Sequence, residues 1–209
     1  MRLLREYIRE LLTEAAKGPK DLIAADTYIK VKVSDDEVFI TYADRFGTSN
    51  TYPSRGEPVG EIVMAPASEF VRYPIGPCDG AYSIVYSEAM DGWGPMLYDV
   101  AMEFATQLGG GLTPDRSEVS SAAEGVWDYY LSNRSDVNHH QLDVTDRDIR
   151  FSKVPVQKLT PEIEEDDCTQ KNPIRKYGLK WHESALSKRY TKAPTTISAL
   201  RAADRLIEQ

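Results

Sequence analysis

The spacing of apolar and charged residues predicts an amphipathic helix over residues 1–18. Leucine, isoleucine and tyrosine recur there every three or four positions, which is the period of an α-helix with one apolar face. Charges of both signs occupy the other face, and Gly18 followed by Pro19 predicts the end of the helix. Water tolerates an apolar face of this size poorly, so we expect it to pack on its own domain or on a partner protein.

Runs rich in β-branched residues predict a series of strands after this helix. The runs 27–33 and 37–42 are separated by a Ser-Asp-Asp sequence, and this turn chemistry predicts a β-hairpin. The segments 60–66 and 81–87 have the same apolar character and predict two further strands. We expect these strands to belong to one central sheet.

Helical periodicity returns in two later segments. The first begins after the sequence Gly-Trp-Gly-Pro at 92–95 and extends to about Leu108, where three glycines end it. The second covers residues 120–133, in which Ser121 and Glu124 have the spacing of a capping box. A short strand is predicted between the two helices, in the sequence GLTP.

The pattern is weaker in the last third of the chain. Thr195 or Thr196 is a candidate N-cap for a final helix. The order of elements along the whole chain predicts an α+β or α/β fold. The elements predicted in the last third are strand pieces at 139–151, an acidic loop at 160–168 and helices at 184–190 and 195–209.

Composition and charge narrow the functional classes. The chain has 209 residues, 41% of them apolar, and a net charge of −8, which predicts a folded domain with an appendage rather than a disordered chain. An acidic protein of this kind is a poor nucleic-acid binder, because affinity for phosphates is mostly electrostatic. The sequence has no apolar run of the length that crosses a membrane. We therefore expect neither nucleic acid nor membrane as a partner.

The cysteine and histidine positions indicate neither a disulfide framework nor a metal site. Cys78 and Cys168 are ninety positions apart, which favours free thiols in a reducing compartment. His139 and His140 are adjacent, and neither has a metal-ligand spacing with His182. We therefore expect no bound metal and a cytoplasmic location.

The strand-to-helix junction at Gly92 and Gly94 is the strongest candidate for a binding site. A helix N-terminus carries unpaired N–H groups and a partial positive charge, and glycine lets a phosphate approach the backbone. We expect the amides of Trp93, Gly94, Met96 and Leu97 to hold such an anion. The alternative is that the glycines only turn the chain, and the residues match neither a Walker loop nor the dinucleotide fingerprint.

Residues 81–133 combine a strand, a Gly-x-Gly turn, a helix with leucine three residues after the second glycine, a short strand and a helix reading A-x-x-V-W-D-Y-Y. This order resembles the core of the GNAT acetyltransferase superfamily. The resemblance implies an α+β fold with a mixed, mostly antiparallel sheet flanked by helices. It also implies that the residues Gly92, Trp93, Gly94, Met96 and Leu97 hold the pyrophosphate of acetyl-CoA.

Three positions depart from the pattern of that family. Ala89 stands where the family has Arg or Gln, Pro95 removes one amide from the turn, and Trp127 stands where the family has a tyrosine that can protonate the departing thiolate. Tyr129 or Tyr130 is then the candidate general acid. The alternative is that Trp127 and Tyr130, three positions apart on one helix, are core aromatics.

The candidate general base is Glu88, which ends the strand that would face the acetyl group. Together these residues predict an acyl-CoA-dependent N-acyltransferase that acetylates an unidentified amine. The expected organisation is an N-terminal helix at 1–18, a GNAT-like domain at 19–150 and a C-terminal extension at 151–209 that packs on or extends the domain.

A second, fainter resemblance leaves another functional class open. The first and last segments of the chain are similar to proteins encoded by tailed phages of marine bacteria. This implies a non-catalytic GNAT-like protein, structural or virion-associated, that docks on a protein partner through its N-terminal helix. Its location would be the virion, whereas a phage-encoded enzyme would act in the cytoplasm of the bacterial host.

Overall fold

The computed structural model describes residues 16–35, 37–49, 58–67, 80–114, 119–144, 168–170 and 181–209. The predicted helix at 1–18 and the predicted acidic loop at 160–168 fall almost wholly outside these residues. The chain divides into two compact units whose segments alternate along the sequence. The first unit takes its described residues from Met1–Met64, Val85–Glu103 and Pro194–Gln209, and the second takes its own from Ala65–Ile84 and Phe104–Ala193.

The fold class is α+β with mostly antiparallel strand pairing, as expected. In the described part of the chain, no helix is long and apolar enough to span a membrane. Two short 3-10 turns, Trp181–Glu183 and Ala185–Ser187, precede the eighth strand. The described helices and strands are, in chain order, α1 (Pro19–Ala24), β1 (Tyr28–Ser34), β2 (Glu37–Ala43), β3 (Gly60–Pro66), β4 (Tyr82–Ala89), α2 (Gly94–Leu108), β5 (Leu112–Thr113), α3 (Ser121–Asn133), β6 (Val137–Val144), β7 (Cys168–Gln170), β8 (Lys188–Lys192), α4 (Thr195–Ala202) and β9 (Leu206–Glu208).

The first unit is built on the predicted hairpin. Strands β1 and β2 pair antiparallel with Val31 opposite Ile40, and β2 pairs antiparallel with β3, with Ile40 opposite Ile62. All three side chains are buried, because facing residues of paired strands share one side of the sheet. The strand order in this unit is β4, β3, β2, β1 and β9, with β9 parallel to β1. The predicted hairpin and the predicted strand at 60–66 are confirmed.

Helices α1 and α4 end with the same cap, and each leads into one of two neighbouring parallel strands. Asp26 and Asp204 follow the helices with φ of 47° and 52°, and the next amide donates back into the last helical turn. This is a Schellman motif. The Arg205 guanidinium also bonds to the Asp26 carboxylate at 2.9 Å. The prediction of one helix over 195–209 was therefore wrong, since the cap ends α4 at Ala202 and β9 follows.

The start of α4 is capped by a side chain that is distant in sequence. The predicted caps Thr195 and Thr196 are wrong, because Pro194 is the N-cap residue and its own side chain makes no cap bond. Instead the fully buried carboxylate of Glu103 accepts the amides of Thr196 at 2.8 Å and Ile197 at 2.7 Å. The helix therefore begins where α2 supplies the acceptor, which no local pattern reveals.

The second unit contains the strand order β7, β6, β8, β5 and the first residues of β4. Strand β5 pairs parallel with β4, with Leu112 opposite Tyr82, and β8 pairs antiparallel with both β5 and β6. Gly111 has φ of 96°, and an added Cβ there would lie 2.5 Å from the carbonyl oxygen of Tyr190. The predicted glycine stop of α2 and the predicted short strand are confirmed, and the stop also permits this close approach.

Helix α3 places two aromatic side chains in the core of the second unit. Trp127 and Tyr130 are each 1% exposed, and the Trp127 ring stacks on Tyr190 of β8 with 4.8 Å between centroids. The core-aromatic interpretation of these two residues is confirmed. The helix begins one position earlier than the predicted capping box, because the hydroxyl of Ser120, not Ser121, accepts the amide three residues on, at 3.2 Å.

The segment 184–190 forms a 3-10 turn followed by β8, so the predicted helix there was wrong. The Ser184 hydroxyl caps the turn by accepting the amide of Leu186 at 3.2 Å. Tyr190 is fully buried, and its hydroxyl donates to the carbonyl of Ala185 at 2.7 Å. Pairing with β6 and burial of this ring outweigh the local helix propensity on which the prediction was based.

Candidate functional site

The junction between β4 and α2 is a tight turn that requires one of its two glycines. Gly92 has φ of 80°, a left-handed value that glycine adopts without steric cost. The amide of Trp93 donates to the carbonyl of Met90 at 3.0 Å and closes the turn. The conformational requirement falls on Gly92, whereas Gly94, the first residue of α2, has no positive φ.

Two donors fix the carbonyl groups of this turn. The Tyr42 hydroxyl donates to the carbonyl of Trp93 at 2.7 Å, and the Lys17 amide donates to the carbonyl of Gly92 at 2.9 Å. Burial raises the pKa of Tyr42 well above its usual range, so the hydroxyl remains a donor. The C=O and N–H groups of a trans peptide point in opposite directions, so the amide of Gly94 is directed away from Tyr42.

One of the four expected amide donors is used within the turn itself. The Trp93 amide donates to the carbonyl of Met90. Pro95 has no N–H. The amides of Gly94 and Met96 have no acceptor among the described residues. The Trp93 amide is therefore used within the protein, and anion binding by the other expected amides stays a prediction.

The space around the turn differs between Gly94 and Gly60. Among the described residues, an added Cβ at Gly94 would meet only the Cβ of Ala89, at 3.7 Å, which is an ordinary contact. An added Cβ at Gly60 of β3 would lie 2.9 Å from both the Ala89 Cβ and the Leu97 Cδ1. Strand β3 therefore supports the turn through a close backbone approach, whereas Gly94 leaves room at the start of α2.

A carboxylate and a tyrosine hydroxyl form a hydrogen-bonded pair at the end of β4, beside this turn. Glu88 and Tyr86 are exposed, and the Tyr86 hydroxyl donates to the Glu88 carboxylate at 2.5 Å. This hydrogen bond raises the pKa of Tyr86. Partial burial, and then the charge of Glu88, raise the pKa of Glu61 on the neighbouring strand β3. The end of β4 thus carries negative charge, which attracts a cationic amine more than an anionic acceptor.

The raised pKa of Glu61 predicts a pH-dependent contribution to stability. The folded chain holds this proton more tightly than the unfolded chain, so the contribution is fully present below the ordinary glutamate pKa and is lost as the pH rises through the raised value. We expect Glu61→Gln to raise the melting temperature by about 1–2 °C near pH 7 and to leave it unchanged near pH 4. Thermal melts at both pH values would test this, with the exposed Glu37→Gln as a control, and a gain of the same size at both would contradict it.

The two tyrosine candidates lie in the second unit, whereas Glu88 and the turn belong to the first. Tyr130 is buried, and the Arg134 guanidinium lies 5.2 Å from its ring centroid. Tyr129 is half-buried and meets the edge of the Tyr130 ring at 6.0 Å. The structure thus brings Glu88, Gly92, Gly94 and Met96 together within one unit and places the tyrosines apart from them in sequence and in unit.

Four residues that support or flank the turn were not predicted from the sequence. Tyr42, Lys17, Gly60 and Glu61 come from segments far from the turn along the chain. Gly60 alone had a local signal, because glycine at the start of an apolar strand often marks a close backbone approach. The other three depend on which strands become neighbours.

The described part of the site consists of backbone donors and carboxylates. Within the described segments, no three His, Cys, Asp or Glu side chains are grouped so that they would hold a metal ion. Searches of protein-family models, of curated proteins and of solved structures find no match to this chain.

Proposed function

We propose that this chain is an acyl-CoA-dependent N-acyltransferase with a GNAT-like fold that acetylates an amine. The observation that carries the proposal is the turn between β4 and α2, where the amides of Gly94 and Met96 lie at a helix N-terminus without an acceptor in the described chain. Such amides are suited to a diphosphate. The succession β4, turn, α2, β5 and α3 also supports it, because this is the order of elements on which the resemblance was based.

In this proposal, acetyl-CoA supplies the acetyl group as a thioester, and the residues of the chain bind it and move protons. The amides of Gly94 and Met96 hold its diphosphate. The Glu88 carboxylate takes the proton of the acceptor amine as that amine attacks the thioester carbonyl. The Tyr86 hydroxyl orients this carboxylate through its hydrogen bond, and the charge of Glu61 favours amines that arrive as cations.

Departure of the thiolate requires a proton, and Tyr129 is the better of the two tyrosine candidates. Tyr130 is 1% exposed and packs against Trp127, with 6.2 Å between ring centroids, so its side chain serves the core. Tyr129 keeps part of its surface exposed, which a proton donor to a substrate requires. Tyr129 therefore remains the tyrosine candidate for this role, while Glu88 and the amides of the turn belong to the other unit.

Calorimetric titration with acetyl-CoA tests the proposal, and Gly94→Val locates the site. A valine side chain at Gly94 would stand where the diphosphate approaches, yet among the described residues its Cβ makes only an ordinary contact with Ala89. We expect the variant to lose at least about tenfold in affinity, roughly 1.4 kcal/mol, with a similar melting temperature. Gly125→Val on α3, where an added Cβ has no described atom within 4 Å, is the matched control. Equal affinity in both variants would place the ligand elsewhere.

The use of the Trp93 amide within the turn favours a second candidate function. A non-catalytic GNAT-like protein, structural or virion-associated, could keep the fold without a complete phosphate cradle, and Ala89, Pro95 and Trp127 are consistent with this. The apolar residues of 1–18 would then dock on a protein partner in the virion. A folded chain that does not bind acetyl-CoA in the calorimeter would favour this candidate over a cytoplasmic enzyme.

A further inference from the structure

Lys188 is a half-buried ammonium whose hydrogen-bond partners are neutral. It begins β8 in the second unit, opposite Gln141 on β6. Its Nζ donates to the Gln141 side-chain oxygen and to the carbonyl of His182 at 2.6 Å. The Gln141 amide nitrogen in turn donates to the carbonyls of Leu142 at 3.0 Å and Ser187 at 3.1 Å, which fixes the side-chain oxygen toward Lys188.

Within the described residues, Lys188 has no carboxylate partner, whereas the other inward-facing lysine of β8 has one. Lys192 is 2% exposed, and its Nζ lies 3.7 Å from the carboxylate of Asp136. No described carboxylate lies within ion-pair distance of Lys188. Removing an ammonium from water without a compensating charge is costly, and burial accordingly lowers the pKa of Lys188.

A second basic group lies on the same face of this strand pair. In the ladder, His139 faces Tyr190 and Gln141 faces Lys188, so His139 and Lys188 are diagonal neighbours that point to the same side. The His139 side chain is exposed, and its pKa is lowered by partial burial and by the charge of Lys188. Two basic groups therefore share one face with Tyr190, on which the carboxylate of Asp128 from α3 also acts by raising its pKa after burial does.

We propose that Lys188 and His139 form a binding site for an oxyanion, the carboxylate or phosphate group of a small ligand. Two of the three ammonium N–H groups of Lys188 are used within the protein, which leaves one for the ligand. The protonated imidazole of His139 supplies a second charged donor. Gln141 positions the ammonium and does not contact the anion. The site lies within the second unit and does not depend on acyl transfer.

A structural role alone does not account for this arrangement. An uncharged donor would also satisfy the His182 carbonyl, with a smaller desolvation cost than an ammonium. A lysine at this position gains its advantage when an anion compensates the charge. Hydrogen bonds between charged partners are about twice as strong as neutral ones, so a small oxyanion is the ligand class that the exposed histidine and the half-buried lysine fit.

Titration of the full-length chain with inorganic phosphate and with acetate, each against chloride at matched ionic strength, tests the site. The readouts are the imidazole resonances of His139 over a range of pH and the melting temperature. We expect bound phosphate to raise the pKa of His139 and Lys188→Met to weaken binding at least about tenfold. Lys30→Met is the matched control, because the Lys30 Nζ also donates to a backbone carbonyl, that of Gly47.

The possible outcomes identify the class of ligand or overturn the proposed site. Similar binding of acetate and phosphate supports a carboxylate-type ligand, and binding of phosphate alone supports a phosphoryl ligand. If Lys188→Met does not fold, Lys188→Arg should retain binding and His139→Gln should weaken it. Wild-type protein whose His139 does not respond to either anion overturns the proposal. An equal response in Lys188→Met, which identifies an adventitious ion only, overturns it as well.

Discussion

Replacing Glu103 with alanine is expected to lower the melting temperature of the chain by about 5–15 °C, the shift that a loss of about 2–4 kcal/mol produces at this size. The carboxylate is fully buried and accepts hydrogen bonds from the amides of Thr196 and Ile197 and from the Thr195 hydroxyl at 3.3 Å. Hydrogen bonds to charged groups contribute about 1.5–3 kcal/mol each. Alanine would leave the buried amide of Ile197 and the part-buried amide of Thr196 without their acceptor.

Two further variants separate the charge of Glu103 from its shape and from a general surface effect. Glu103→Gln keeps one acceptor oxygen and turns an NH₂ group toward a backbone donor, so we expect an intermediate loss of about 1–2 kcal/mol. Glu124→Ala, on the exposed first turn of α3, should change stability by less than about 0.5 kcal/mol. Thermal melts and urea titrations would measure all three. If Glu103→Ala were as stable as the wild type, α4 would not depend on this cap.

The parts of the fold that the sequence predicted correctly are those determined by local pattern. The hairpin β1–β2, strand β3 and helix α2 follow from strict periodicity and from glycine or aspartate turns within a few residues. The errors occur where a residue that is distant in sequence determines the local structure. Residues 188–190 of the predicted helix form strand because they pair with β6 and because Tyr190 stacks on Trp127. The start of α4 depends on Glu103. Neither partner can be identified from the local sequence.

The candidate site, too, was predicted correctly only where local sequence determines it. The glycine pair at 92–94 marked the junction, and the structure shows that the left-handed φ belongs to Gly92. The number of available amides could not be predicted, because it depends on the Trp93 turn bond and on where α2 begins. The direction of the Gly94 amide depends on the Tyr42 hydroxyl, which reaches the turn only because β2 and β4 belong to the same unit. Local chemistry located the site, and strand order determines its geometry.

The close approach of β3 to the turn leads to the second large effect, which links stability to the candidate site. Replacing Gly60 with alanine is expected to cost about 1–3 kcal/mol, as overpacking of a closely packed position does. The new Cβ would lie 2.9 Å from the Ala89 Cβ and the Leu97 Cδ1 and 3.0 Å from the Glu88 carbonyl oxygen. The Leu97 side chain can rotate, but the Cβ of Ala89 and the backbone at Glu88 move only if the end of β4 moves.

A double-mutant cycle with Ala89→Gly tests this mechanism. Removing the Ala89 Cβ relieves one of the three close contacts, so we expect the double variant to regain about half of the lost stability, a coupling of roughly 0.5–1.5 kcal/mol. Gly125→Ala is the control of opposite sign. Its added Cβ has no atom of the described segments within 4 Å, and alanine is favoured over glycine in a helix by about 1 kcal/mol. Additive effects of Gly60→Ala and Ala89→Gly would show that the two residues do not support each other. In the same variants, calorimetry with acetyl-CoA should show weaker binding by Gly60→Ala and partial recovery in the double variant, because displacing the end of β4 displaces the Gly94 amide.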